Sequence, residues 1–149
     1  MPKKKLVDKR YAKSKEYHEA LEDIENENKC PFCPENLCRQ KKPIIELYRS
    51  GQWFITANNY SYPEARVKLI IIADEHKETI TEVTAQEWTE IVNLIKWAHQ
   101  EYDIKGAGLA VRYGDSNFTG ATVTHLHFHL ISAKLDKKNK SIPVNFPIG

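Results

Sequence analysis

The chain has 149 residues, the length of one ordinary domain, and 41% of them are hydrophobic, enough to build a single core. Its 22 basic and 20 acidic side chains leave a formal net charge of +2 at pH 7, a balance that argues against nucleic acid as the partner. No stretch approaches the roughly 20 apolar residues that span a bilayer, and the lysine-rich start lacks the apolar core of a secretory signal. We therefore expect a cytoplasmic protein with no membrane partner.

The first 29 residues are predicted to be a basic and charged N-terminal extension. Residues 11–29 are rich in Glu, Lys and Ala, which favours a short surface helix that ends before Pro31. Cys30 and Cys33 follow as a Cys-x-x-Cys pair, and Cys38 is left over as a free thiol or packing residue. An odd number of cysteines suits a reducing compartment and a metal better than a disulfide framework, although a redox pair remains an alternative.

The next segment has the pattern of β-strands. Residues 44–48 and 53–57 flank four turn-forming residues, which is typical of a hairpin. Residues 67–72 are apolar except for Lys68, which predicts a strand that is buried on much of both faces.

One long amphipathic helix is predicted after these strands. Thr84 and Glu87 have the spacing of a capping box, and apolar residues recur behind them at three- and four-residue intervals as far as Tyr102. The helix should lie on the sheet and stop before Gly106. The remaining elements are predicted to be a strand at 108–113, a polar loop at 114–121, a last strand at 123–131 and an irregular tail at 133–149.

Three histidines alternate with apolar residues near the end of the chain. Because side chains on a strand alternate faces, His125, His127 and His129 project to one side while the residues between them point into the core. An imidazole with an unperturbed pKa of about 6.5 is largely neutral and nucleophilic at pH 7. Imidazoles two apart can also bind a zinc ion that activates water. Spacing alone leaves both chemistries open.

This segment, HLHFHLI preceded by GATVT, resembles the signature of the histidine triad (HIT) family of nucleotide hydrolases and transferases. The resemblance runs from about Cys30 to Ser132, so it implies a HIT domain over residues 30–132, with both ends of the chain outside it. The fold implied is α+β: a five-stranded antiparallel sheet with one main helix, plus the short N-terminal helix.

The resemblance also implies catalytic roles. The middle histidine of the family attacks the α-phosphorus, which makes His127 the nucleophile of a covalent nucleotidyl-histidine, and His129 would contact the phosphate. Thr122 stands where family members often carry a serine and would donate to the phosphate oxygens. Asn58, or its neighbour Asn59, would hold the ribose hydroxyls, with turn formation as the alternative role.

A structural zinc is implied for the branches of the family that carry the Cys-x-x-Cys pair. Their remaining two ligands are the histidine after the third strand and the first histidine of the triad. The expected ligands are Cys30, Cys33, His76 and His125. Such a closed site leaves no position for water, and it occupies His125, which then cannot serve the phosphate.

Several positions depart from the usual pattern of the family. Asp74 and Glu75 replace two bases before His76, Arg112 replaces an asparagine, and Ala121 replaces a glutamine. Arg112 could clamp a phosphate bidentately or pair with an acid. These changes leave the expected chemistry intact but put the substrate in question.

We therefore expect a nucleotide hydrolase or transferase that cleaves at the α-phosphate of a dinucleoside polyphosphate or nucleoside phosphoramidate, and that forms a homodimer. The alternatives are a hydrolase in which the triad binds catalytic zinc, and a nucleotide-binding module without turnover.

Overall fold

The computed structural model describes residues 5–60 and 62–149. Helices and strands are α1 Lys15–Glu27, β1 Tyr48–Ser50, β2 Trp53–Ala57, β3 Ala65–Ala73, α2 Ala85–Glu101, β4 Gly108–Val111, α3 Ser116–Thr119 and β5 His127–Ala133. Short 3₁₀ turns occur at Lys9–Tyr11, Pro34–Asn36 and Ile80–Glu82. Within this described part of the chain, no helix is long and apolar enough to cross a membrane.

The five strands form one sheet in the order β1-β2-β3-β5-β4, and every neighbouring pair is antiparallel. Strands that follow one another in the chain are neighbours in the sheet, except β3 and β4, which are joined through α2 and have β5 between them. The prediction of an α+β fold with a five-stranded antiparallel sheet and one main helix is confirmed.

The first hairpin is tighter than predicted. Ser50 pairs with Trp53, so the turn contains only Gly51 and Gln52. Gly51 has φ +58°, and a Cβ there would collide with the carboxylate of Glu90 on α2. A glycine in this conformation allows a two-residue turn, which carries β1 on to Ser50 instead of residue 48. The strand begins at Tyr48, later than the predicted residue 44.

Helix α2 begins and packs as its sequence predicts. The Thr84 hydroxyl accepts from the backbone of Glu87 while the Glu87 carboxylate accepts from the backbone of Thr84, which completes the capping box. Ile91, Leu94 and Ala98 are fully buried against the sheet. The apolar stripe of α2 therefore covers one face of the sheet.

The central strand β3 is buried on both faces, as its apolar run predicts. Alternate residues such as Leu69 and Ile71 pack beneath α2, while Ile70 and Ile72 face the opposite side. Val7 and Leu21, both 2% exposed, cover that opposite side. The N-terminal segment therefore forms a second layer of the core, and the predicted domain limits at residues 30 and 132 stay a prediction.

The last strand lies further along the chain than predicted. Strand β5 starts at His127, because its partner β3 ends at Ala73. The residues before it do not pair with β3. Val123 forms an isolated antiparallel bridge with Val7, and the backbone N–H of Leu126 donates to the carbonyl oxygen of Lys77 over 2.7 Å.

The connection from β4 to β5 is more ordered than a loop. Strand β4 ends at Val111, two residues earlier than predicted, and the following segment contains the one-turn helix α3. The side chain of Asp115 caps α3, and Gly120 ends it with φ 66°.

Candidate active site and metal centre

The triad histidines lie on the face of the sheet opposite α2. His127 pairs with Ile72 and His129 pairs with Ile70, and paired residues share a face. The side chains between the histidines, among them Phe128, pack beneath α2. The predicted alternation is therefore observed, and one strand brings His127 and His129 to within 5.0 Å of each other, measured between ring centroids.

A backbone carbonyl fixes the ring of His127. Its Nδ1 lies 2.8 Å from the carbonyl oxygen of His125, so Nδ1 must carry the proton and donate. The neutral ring then has its lone pair on Nε2, the atom that a nucleophile needs. The edge of Phe32 packs against the ring with centroids 4.9 Å apart.

His129 is more enclosed than His127. It is 8% exposed, with the rings of Tyr62 and Phe146 against it. Its Nδ1 is buried and has no hydrogen-bond partner among the described residues. Because a buried polar atom without a partner is costly, this atom favours a water or ligand beside it.

Burial keeps the three imidazoles neutral. Desolvation, with a smaller contribution from the charge of Arg112, lowers the pKa of His127 to about 4. The pKa of His125 is likewise lowered to about 4 by burial, and that of His129 is lowered well below the usual range by burial, His127 and Arg112. Each ring therefore offers a lone pair at pH 7.

The predicted metal ligands converge in space. One ligand atom from each of Cys30, Cys33, His76 and His125 lies within 4.8 Å of the others. The closest approaches to sulfur are made by Nδ1 of the two histidines, at 3.3 Å from Cys30 to His125 and 3.6 Å from Cys33 to His76. Ligands around a tetrahedral zinc stand about 3.3 to 3.8 Å apart, given the usual bond lengths. These sulfur–nitrogen distances fit a zinc ion.

The surroundings of the two histidine ligands fit a metal as well. Nε2 of His125 lies 2.6 Å from the carbonyl oxygen of Ala73, and Nε2 of His76 lies 2.9 Å from the Glu78 carboxylate. These contacts place the proton on Nε2 and leave Nδ1 free for an ion. Without a cation, burial raises the pKa of Cys30 to about 12 and also raises that of Cys33, so a metal would have to stabilise the thiolates.

A cavity of about 830 Å³, including its open mouth, lies over His127 and His129. Its walls come from the loop before β1, the segment after β2, the loop before β5 and the N-terminal segment. Basic and aromatic side chains line it, and no Asp or Glu is among the lining residues that the structure describes.

The predicted substrate residues all line this cavity. Asn58 is half-buried and its Oδ1 accepts from the backbone N–H of Tyr60 at 3.2 Å, so it also forms a turn. The Thr122 hydroxyl lies 2.8 Å from the hydroxyl of Tyr17. Arg112 stacks on Phe146 at 3.7 Å and donates from Nε and Nη2 to the carbonyl oxygen of Pro147, not to an acid.

Sequence patterns did not identify several residues of the cavity. Tyr17 stacks on Tyr60 with centroids 4.7 Å apart, and Phe146 from the C-terminal segment covers His129. Both segments lie outside the resemblance, and a single aromatic residue in a charged helix or an irregular tail carries no signal. Only Phe32 could have been expected near the site from the sequence, because it lies between Cys30 and Cys33.

These features define an antiparallel α+β domain with a histidine triad on one strand and a Cys₂His₂ cluster beside it. The HIT domain model matches residues 47–135, more than half of the chain. The chain belongs to the HIT domain family.

Solved structures share the fold. A protein described as "Hit Like Protein" is 20% identical with a TM-score of 0.55, and the match covers 67% of this chain and 96% of that one. A HIT family hydrolase from Legionella pneumophila Philadelphia 1 is 22% identical with a TM-score of 0.52, covering 71% and 94%. A histidine triad nucleotide-binding protein from Candida albicans is 18% identical with a TM-score of 0.53, covering 73% and 78%. None of the curated proteins matches the chain.

Proposed function

We propose that the chain is a nucleotide hydrolase or transferase that cleaves at the α-phosphate through a covalent nucleotidyl-His127. The observation that carries this proposal is the ring of His127, whose Nδ1–H is held by the carbonyl of His125 while the ring lines the cavity. A neutral imidazole with a fixed tautomer and an accessible lone pair is equipped for nucleophilic attack. Membership of the HIT family, and a fold shared with a HIT family hydrolase, support the same conclusion.

The reaction divides into two transfers. Nε2 of His127 forms a bond to the α-phosphorus, and the bond from phosphorus to the leaving group breaks with its electron pair. Water then attacks the phosphorus, the P–N bond returns its pair to Nε2, and the released proton goes to solvent. Thr122 and His129 line the same cavity and are our candidates to bind the α-phosphate oxygens. Arg112 also lines it and is our candidate to bind a phosphate of the substrate.

A zinc ion held by Cys30, Cys33, His76 and His125 completes the proposal. Bound there, it would supply a structural cross-link between the segment after α1 and the triad, in a site with no open position. Among the described residues, these four side chains are the group of His, Cys, Asp or Glu that is close enough to hold an ion. The three histidines of the triad do not form such a group by themselves. That arrangement favours His127 as nucleophile over a zinc-bound water.

The remaining features of the proposal concern the surroundings of the site. Asn58 lines the cavity where the ribose hydroxyls would bind. Strand β4 lies at an edge of the sheet and leaves Leu109 44% exposed, which favours a homodimer that covers this edge. We also propose that the protein works in the cytoplasm, where thiols such as Cys30 and Cys33 stay reduced.

Intact-protein mass spectrometry tests the mechanism. The protein is mixed briefly with adenosine and guanosine dinucleoside polyphosphates and phosphoramidates, then quenched at high pH. We expect a transient mass gain of one nucleotidyl group, absent in His127→Ala and present in His99→Ala, an exposed histidine on α2. Turnover without an adduct, lost on zinc removal from a still-folded protein, would instead establish a catalytic metal. Binding without turnover would establish a nucleotide-binding module.

A further inference from the structure

The cavity beside His127 is lined by three basic side chains, one of which pairs with a carboxylate among the described residues. These basic residues are Lys13, Lys42 and Arg112. Lys42 pairs with Glu16 at 2.7 Å. Lys13 forms no hydrogen bond or ion pair with the residues that the structure describes, and Arg112 binds only the uncharged carbonyl of Pro147 there. Two cations therefore face the cavity without counter-charge.

Lys13 and Arg112 line the same cavity, and both side chains are positively charged. Partial burial lowers the pKa of the Lys13 ammonium, and the charge of Arg112 lowers it further. Arg112 has little freedom to move away, because its guanidinium is stacked on Phe146 and bonded to Pro147. An anion placed between the two groups would relieve this repulsion.

The N-terminal segment holds Lys13 in place over the cavity. Lys13 precedes Ser14, the residue that caps α1, and Tyr17 on the first turn of α1 contacts Thr122 at 2.8 Å. Leu21 anchors the same helix in the core. Lys13 lies far outside residues 47–135, which match the HIT domain, so this feature is an addition to the domain.

His129 and Thr122 are our candidates for the α-phosphate, which leaves Lys13 and Arg112 available for a phosphate further along the substrate. A nucleoside phosphoramidate carries only the α-phosphate, so it would leave Lys13 and Arg112 without an anion. A phosphate leaving group departs as an anion that takes the electron pair of the broken P–O bond and needs no proton at pH 7.

We propose that Lys13 and Arg112 form a second anion subsite, which binds a phosphate beyond the α-phosphate and stabilises it as the leaving group. The protein then selects nucleotides with two or more linked phosphates over nucleoside phosphoramidates. The reaction class rests on the function proposed above, whereas the subsite itself does not.

Nucleotide binding tests the subsite without turnover. Calorimetric titrations of the full chain carrying His127→Ala compare adenosine and guanosine diphosphates with the corresponding monophosphates. We expect the diphosphate to bind about tenfold more tightly, the effect of one good charge-assisted contact. Adding Lys13→Gln should abolish this preference, and adding Lys15→Gln should keep it, because Lys15 is 91% exposed and lies outside the cavity. Equal binding of mono- and diphosphates, or a preference that survives Lys13→Gln, would overturn the proposal.

Turnover then tests the choice of leaving group. With His127 intact, Lys13→Gln should lower kcat/KM about tenfold for a dinucleoside polyphosphate and by less than about twofold for a phosphoramidate of the same nucleoside. Lys13→Arg should restore most of the difference. Equal losses on both substrates would contradict the assignment. If no nucleotidyl adduct forms with any substrate, the proposed function fails, and the diphosphate preference still decides whether the subsite exists.

Discussion

His127 donates a hydrogen bond from Nδ1 to the carbonyl oxygen of His125 over 2.8 Å. The ring of His125 itself points to the cysteine cluster, with Nδ1 3.3 Å from the sulfur of Cys30. One residue therefore contributes its side chain to the candidate metal centre and its backbone to the orientation of the candidate nucleophile. Changes at the metal centre should be felt at His127.

The first prediction concerns the tautomer of His127. Because its Nδ1 faces a carbonyl oxygen, we expect the neutral Nδ1–H form at pH 7, with Nε2 unprotonated. Long-range ¹H–¹⁵N correlation spectra of the protein, assigned with His127→Gln, distinguish the two tautomers directly. A proton on Nε2 would contradict the proposed nucleophile, because that atom could not then attack phosphorus.

The second prediction concerns metal content. We expect one zinc per chain by elemental analysis, retained in His127→Ala and lost in Cys30→Ser or Cys33→Ser. Chelation should lower Tm by about 10 °C or more, since the site joins the N-terminal segment to the triad. Cys38→Ser is the matched control, because Cys38 is exposed and outside the cluster. A protein that contains no zinc and keeps its Tm on chelation would contradict the structural role.

The third prediction tests whether the N-terminal segment is part of the folded unit. Leu21 on α1 is 2% exposed and packs in the cluster that contains Phe54 and Ile72. Leu21→Ala should lower the free energy of unfolding by about 2 to 5 kcal/mol in urea denaturation. His18→Ala on the exposed side of α1 should change it by less than about 0.5 kcal/mol. A negligible effect of Leu21→Ala would show that the extension is dispensable for stability.

The fourth prediction concerns the C-terminal segment. Phe146 lies against His129 with ring centroids 5.0 Å apart and supports the guanidinium of Arg112. Phe146→Ala should lower the free energy of unfolding by about 1 to 3 kcal/mol through lost packing and the lost cation–π contact. It should also reduce kcat/KM, because Arg112 loses the support that orients it. Phe146→Leu keeps most of the apolar bulk but removes the aromatic ring, so it separates stacking from packing. Ile148→Ala, at an exposed residue of the same segment, controls for general effects of changing the tail. Unchanged kinetics in Phe146→Ala would exclude a positioning role.

Much of the fold was predictable because its signals are local. The capping box of Thr84 and Glu87 fixes the start of α2, and the apolar alternation around His127 fixes which side of β5 meets the core. The strand boundaries were less predictable, because they depend on partners. Strand β1 runs on to Ser50 owing to the tight turn at Gly51, and β5 starts late because β3 ends at Ala73.

The sequence by itself determined the chemistry available to this protein. Alternation on a strand puts three imidazoles on one face, and the resemblance to the HIT family groups the Cys-x-x-Cys pair with two histidines as a set of ligands suited to zinc. These properties depend on residue identity and on the period of a strand, so they can be read without a structure.

Only the tertiary structure decided how the site is enclosed. It brings Lys13 and Tyr17 from one end of the chain to the cavity over His127 and His129, and Phe146 from the other end against the ring of His129. The contact of Tyr17 with Thr122 joins residues 105 positions apart. Such contacts arise because an apolar sheet face must be covered by whatever segment packs best. No local pattern records that choice, since it is made by shape and burial when the whole chain folds.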